Sequence, residues 1–161
     1  MRIRIFGDIA TGKTTLAKNI ALEFKTPIFS TDDFVYSDKY VKKRPIKERE
    51  KIVGKTVHKK DWIIEGVHHS GWVKTVADNA DLIIILKASR IKLVYRIIKR
   101  TFFEERGIKK FRTMLNLGYM LFRDSKNDSK AYERIVKSKN CLIGSEISIE
   151  DIKRALKAHK F

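Results

Sequence analysis

A chain of 161 residues, 43% of them hydrophobic, is long enough for one domain with its own core and too apolar to be largely disordered. No apolar run approaches the roughly 18 residues that span a membrane, and a strand expected almost at Met1 leaves no room for a secretory signal, so the expectation is a cytoplasmic protein with no membrane partner. The single cysteine, Cys141, excludes an intrachain disulfide or a cysteine zinc cluster and reads as a small core residue, while the formal charge of +17 favours polyanionic ligands.

In chain order, a strand-like run Arg2-Ile3-Arg4-Ile5-Phe6 leads into Gly7-Asp8-Ile9-Ala10-Thr11-Gly12-Lys13-Thr14, a complete G-x-x-x-x-G-K-[ST] loop. Glycines let such a loop curl its N–H groups toward phosphate oxygens, and the following helix, with Leu16, Ala17, Ile20, Ala21 and Phe24 at helical spacing, adds the positive end of its dipole. Gly7, Asp8, Ala10, Thr11, Gly12, Lys13, Thr14 and Thr15 are therefore candidate contacts for a nucleoside triphosphate, read as ATP, with Lys13 on the β- and γ-phosphates and Thr14 on Mg²⁺. Arg4 fits the strand less well, because a mid-strand charge needs a partner or a place near the sheet's lower rim.

A second strand, Pro27 to Ser30, ends in Thr31-Asp32-Asp33, two acids at the end of the sheet where ligands bind in open α/β folds. Asp32 is the candidate base or acceptor-orienting group, and a loop acid capping a turn is the alternative for it and more so for Asp33. Residues 39 to 60 carry a net charge of +8. The third strand, Trp62 to Ile64, runs into Glu65-Gly66, where Glu65 is the candidate to hold Mg²⁺ through water, or else to pair with a lysine. The adjacent His68 and His69 have no third ligand suitably spaced, so no transition metal is expected.

Leu82 to Leu86, continuously apolar and β-branched, reads as a central strand covered on both faces. From Ser89 a helical pattern runs toward Gly107 and places Arg96 and Arg100 on one face, with Arg106 in the turn that follows. Together they form a candidate phosphate clamp, the alternative being a basic solvated face. Residues 87 to 139 carry a net charge of +11. Further helical patterns cover Phe111 to Phe122 and Asp128 to Lys137, then a strand at Cys141 to Ile143 and a last helix, Ile149 to His159, with Ser148 as its cap and Glu150 and Asp151 in its first turn. Strands alternating with helices predict a parallel α/β sheet.

The loop Gly7 to Thr14, taken with Pro27 to Asp32, Trp62 to Gly66, Ala80 to Leu86, Ser89-Arg90 and Tyr95 to Arg100, resembles the adenylate-kinase-related FlaR family, labelled DNA-topology modulation proteins. The resemblance implies a P-loop fold of the nucleoside-monophosphate-kinase type, with a five-stranded parallel sheet of order 2-3-1-4-5 and helices on both faces. It also implies a single domain over 1–161, an acceptor-binding segment at about 32–60, a lid at about 100–113, and Arg96 and Arg100 as lid-base arginines. The family's Asp-Gly after strand three is Glu65-Gly66 here, and Ser70-Gly71 stands where it often carries an arginine. The expected activity is ATP-dependent phosphoryl transfer catalysed with Lys13, Asp32, Arg96 and Arg100. The expected acceptor is a nucleotide-like or other small molecule, phosphate-bearing or hydroxylic, near Asp32, Asp33, Arg44, Glu65 and Arg106. The alternative is a nucleotide-regulated ATPase that grips nucleic acid through segments 39–60 and 87–139.

Overall fold

In the computed structural model, residues 1–38, 42–68, 71–103 and 140–158 are described, without the side chains of 38 and 100–103. Strand β1 (Arg2–Gly7) is followed by α1 (Lys13–Phe24), β2 (Ile28–Ser30), the short α2 (Thr31–Val35), β3 (Tyr36–Asp38), β4 (Lys42–Lys43) and α3 (Ile46–Val57). Then come β5 (Trp62–Gly66), a 3₁₀ turn at Gly71–Val73, α4 (Lys74–Asn79), β6 (Leu82–Leu86), α5 (Arg90–Phe103), β7 (Cys141–Gly144) and α6 (Ile149–Ala158).

Five strands form one parallel sheet in the order β2-β5-β1-β6-β7, which is the 2-3-1-4-5 order expected. Alternation along the strands sends side chains to two cores. Ile3, Ile5, Ile63, Leu82 and Ile84 pack with Ala17 and Ile20 of α1 and Ile152 of α6. Phe6, Ile64, Ile83 and Ile85 pack on the other face with Val53 and Val57 of α3 and Val76 of α4. Trp62 is fully buried there, and its indole N–H donates to the Val57 carbonyl at 3.3 Å, satisfying one of the carbonyls that a helix end leaves open. Cys141 is half-buried against the same core, and its desolvation pushes the thiol up to about 11.

The basic segment after β2 folds differently from its polar look. Ser30 caps α2 by accepting from the Asp32 N–H at 3.3 Å, and β3 and β4 pair as a small antiparallel hairpin outside the main sheet. In α3 the lysines Lys47, Lys51 and Lys55 fall on one exposed stripe, so much of the positive charge of segment 39–60 faces solvent. The last helix begins where the sequence places it: the Ser148 hydroxyl accepts from the Asp151 N–H at 3.1 Å, and the Asp151 carboxylate accepts from the Ser148 N–H at 3.1 Å. Arg106, most of the lid at 100–113 and the patterns at 111–122 and 128–137 lie outside the described residues.

Candidate active site

The loop after β1 is held in shape by its own backbone. The Asp8 carbonyl accepts from the Thr11 hydroxyl at 2.8 Å, the Thr11 N–H at 3.4 Å and the Lys13 ammonium at 2.6 Å. Gly7 has a φ of 155° and no room for a side chain, since a Cβ would stand 2.4 Å from the Leu86 carbonyl oxygen. Ala10 takes a left-handed φ of 62°, a strained choice for a residue with a Cβ and one that turns the peptide into the loop.

Lys13 matters electrostatically, being only 8% exposed. Burial pushes its ammonium down to about 8, with the Arg4 charge acting in the same direction, although Glu65, Asp8 and Asp32 pull the other way. A desolvated cation at the end of a glycine-bounded loop is set up for a polyanion. Beside it, the Thr14 hydroxyl donates to Glu65 Oε1 at 3.2 Å. Glu65 is 7% exposed at the exit of β5, on the sheet face that carries α1, and the α1 hydroxyl and strand-end carboxylate named from sequence do come together. The residues present therefore fit a nucleoside triphosphate with a divalent cation: a buried lysine for phosphate, and a hydroxyl with a carboxylate, both oxygen donors of the kind Mg²⁺ takes.

Asp32 is half-buried in the first turn of α2 and close enough to Lys13 to act on its charge, whereas its neighbour Asp33 is exposed. Arg96, from α5, reaches over the loop, its guanidinium donating to the Ala10 carbonyl at 3.3 Å and the Thr11 carbonyl at 3.5 Å. The backbone of Arg100 lies one turn further along α5; its side chain, like all of Arg106, is outside the described residues. Thr15 is exposed in the first turn of α1. Arg44 is engaged structurally: it donates to the Asp33 carbonyl at 2.7 Å and to the Tyr36 carbonyl, and pairs with Glu48 at 2.9 Å, bracing the exit of α2.

The contacts that join the far side of the site were not legible in the sequence. Thr31, fully buried, shares a 3.0 Å hydrogen bond with His68 Nδ1, and the His68 ring lies 5.4 Å from Trp72. Trp72 in turn meets Phe34 edge-on at 6.5 Å and carries the Arg49 guanidinium 5.9 Å over its ring, an aromatic and cationic wall beside Asp32's helix. Arg4 finds its partners far along the chain: its guanidinium donates to the carbonyls of Ile64 at 3.2 Å, Gly66 at 3.2 Å and His68 at 2.5 Å. A buried mid-strand arginine thus donates to the backbone at the site's edge.

The shape assembled here has many counterparts among solved structures. A shikimate kinase from Aquifex aeolicus superposes with a TM-score of 0.60 over 100% of this chain and 99% of its own, at 12% identity. A shikimate kinase from Bacteroides thetaiotaomicron gives 0.58 over 98% and 95% at 11% identity, and a gluconokinase from Sinorhizobium meliloti 0.54 over 98% and 90% at 12% identity. The fold is that of the small P-loop kinases. No protein-family model matches the chain, so the FlaR resemblance rests on the motifs alone. Among curated proteins, the uncharacterized protein YqaC of Bacillus subtilis is 33% identical over 86 residues, 52% of this chain, and the match spans about half of that relative, 47% of its length.

Proposed function

We propose that the chain is an ATP-dependent phosphotransferase acting on a small molecule, nucleotide-like or otherwise, that presents a hydroxyl or a phosphate. The observation that carries this reading is the meeting of Thr14 with Glu65 at 3.2 Å beside the buried Lys13 and within reach of Asp32's charge. The kinase names of its structural neighbours support the same class.

In this reading Lys13 leaves the Asp8 carbonyl for the phosphates of the donor. Thr14 and, through water, Glu65 would hold Mg²⁺, which supplies charge neutralisation across the transferring group. Asp32 orients the acceptor hydroxyl and takes its proton as the new P–O bond forms and the bond to the leaving diphosphate breaks. Arg96, already over the loop, and Arg100 would answer the negative charge on the transferring oxygens. Asp33, Arg44 and Arg49 shape the acceptor side.

The test is to incubate the protein with Mg²⁺ and γ-labelled ATP, with nucleoside monophosphates, small hydroxylic metabolites and nucleic-acid ends offered in turn. Label passing to one acceptor, and lost in Lys13→Ala while the variant still folds, is the expected result. Transfer undiminished in Lys13→Ala sinks the assignment. Release of inorganic phosphate alone, accelerated by nucleic acid, would instead support the nucleotide-regulated binder.

A further inference from the structure

The role of Arg4 goes beyond this reading. Its strand is the centre of the sheet, flanked by Ile64 of β5 and Ile83 of β6, and the residue is 4% exposed. A cation buried this deeply costs free energy unless its donors are used, and a guanidinium offers five N–H groups in a planar fork. The carbonyls it holds are those of Ile64, Gly66 and His68, which bracket Glu65 on both sides. Arg4 and Phe6 face the core of α3 and α4, with the guanidinium 5.5 Å from the Phe6 ring, whereas Glu65 points to the α1 face. The exit of β5 is therefore gripped from one side of the sheet while its carboxylate serves Thr14 on the other.

The grip extends to the acceptor side. Gly66 has a φ of 148° and lies so close to Thr31 that a Cβ would fall 1.8 Å from its hydroxyl oxygen. That hydroxyl is the partner of His68 Nδ1, and the carbonyl of His68 accepts from Arg4 at 2.5 Å, closer than those of Ile64 and Gly66. We propose that Arg4 is a positioning residue that registers both halves of the site, Glu65 beneath Thr14 and His68 against Thr31, from one buried cation.

Two variants test this. Arg4→Lys keeps a charge but loses the fork, and Arg4→Met keeps much of the volume and loses the charge; circular dichroism and thermal melting establish that each is folded. The first readout is the gain in affinity that Mg²⁺ gives to a fluorescent ATP analogue. It should fall by about tenfold in both variants, the scale on which groups behind metal ligands act, while affinity without Mg²⁺ changes far less. The second needs no nucleotide: the ring-nitrogen NMR signals of His68, assigned with His68→Gln, report a hydrogen-bonded Nδ1 in the parent protein. In the variants they should move to those of the exposed His58. If a folded variant leaves either readout unchanged, one cation does not register both halves and the proposal is overturned. Only the magnesium half rests on the phosphotransferase reading. A parent protein that bound no nucleotide would defeat that reading, and the His68 signals would then decide the role of Arg4 alone. Should Arg4→Met not fold, Arg4→Lys carries both readouts.

Discussion

Lys13 keeps its proton less firmly than an ordinary lysine, and this has a sign that can be measured. In the unfolded chain the ammonium holds its proton to about 10.5, whereas in the folded loop it gives it up near 8. Between those values the unfolded state binds more protons, so the ligand-free protein gains stability as pH rises from 8 to 10.5 and is flat in this respect below 8. The gain, on the order of 3 kcal/mol, should appear in urea unfolding of the parent protein and be missing from Lys13→Met. Nucleotide binding should correspondingly take up a proton above pH 8, read by calorimetry in buffers of different ionisation enthalpy. A second residue-scale expectation concerns Gly66, where a methyl group would collide with the buried Thr31 side chain and occupy a backbone region costly for any L-residue. Gly66→Ala should lose about 2 to 4 kcal/mol in a denaturant titration, the combined scale of overpacking and backbone strain. A loss below 0.5 kcal/mol would mean that the close approach to Thr31 relaxes freely.

At the scale of elements, what could be read from sequence was local. The loop from Gly7 to Thr14 carries its whole instruction in eight consecutive residues, and Ile83-Ile84-Ile85 declares a strand buried on both faces. The Ser148 cap was visible because its partner, Asp151, is three residues away. Ser148→Ala should therefore cost about 1 kcal/mol and make α6 the first helix to exchange its amide hydrogens, while leaving the sheet's protection alone. The hairpin of β3 and β4 gave no such signal, being very short strands in a lysine-rich stretch without alternation. Arg4 was legible only as a misfit, since its partners lie 60 or more positions further on. The charge of Arg44 shows in a sequence, whereas the carbonyls that engage it do not.

For the whole molecule, the order of strands gathers the site. The loop leaves β1 at the centre, Glu65 ends its neighbour β5, and the helix bearing Arg96 follows its other neighbour β6. Ligand binding at such a junction should stabilise the entire fold. ATP with Mg²⁺ at about 100 times its dissociation constant should add about 2.7 kcal/mol, raising the melting temperature by roughly 5 to 11 °C. Lys13→Ala should show no such rise, and an equal rise in both proteins would place the nucleotide elsewhere. The carbonyl of Asp8 then acquires a kinetic meaning. It already occupies the ammonium of Lys13, so in the proposed reading an arriving phosphate oxygen would take the place of one acceptor, and that acceptor would be at hand when the phosphate leaves. Turnover of ligand would then be an exchange of partners, and weakly held anions would compete with an acceptor that never diffuses away.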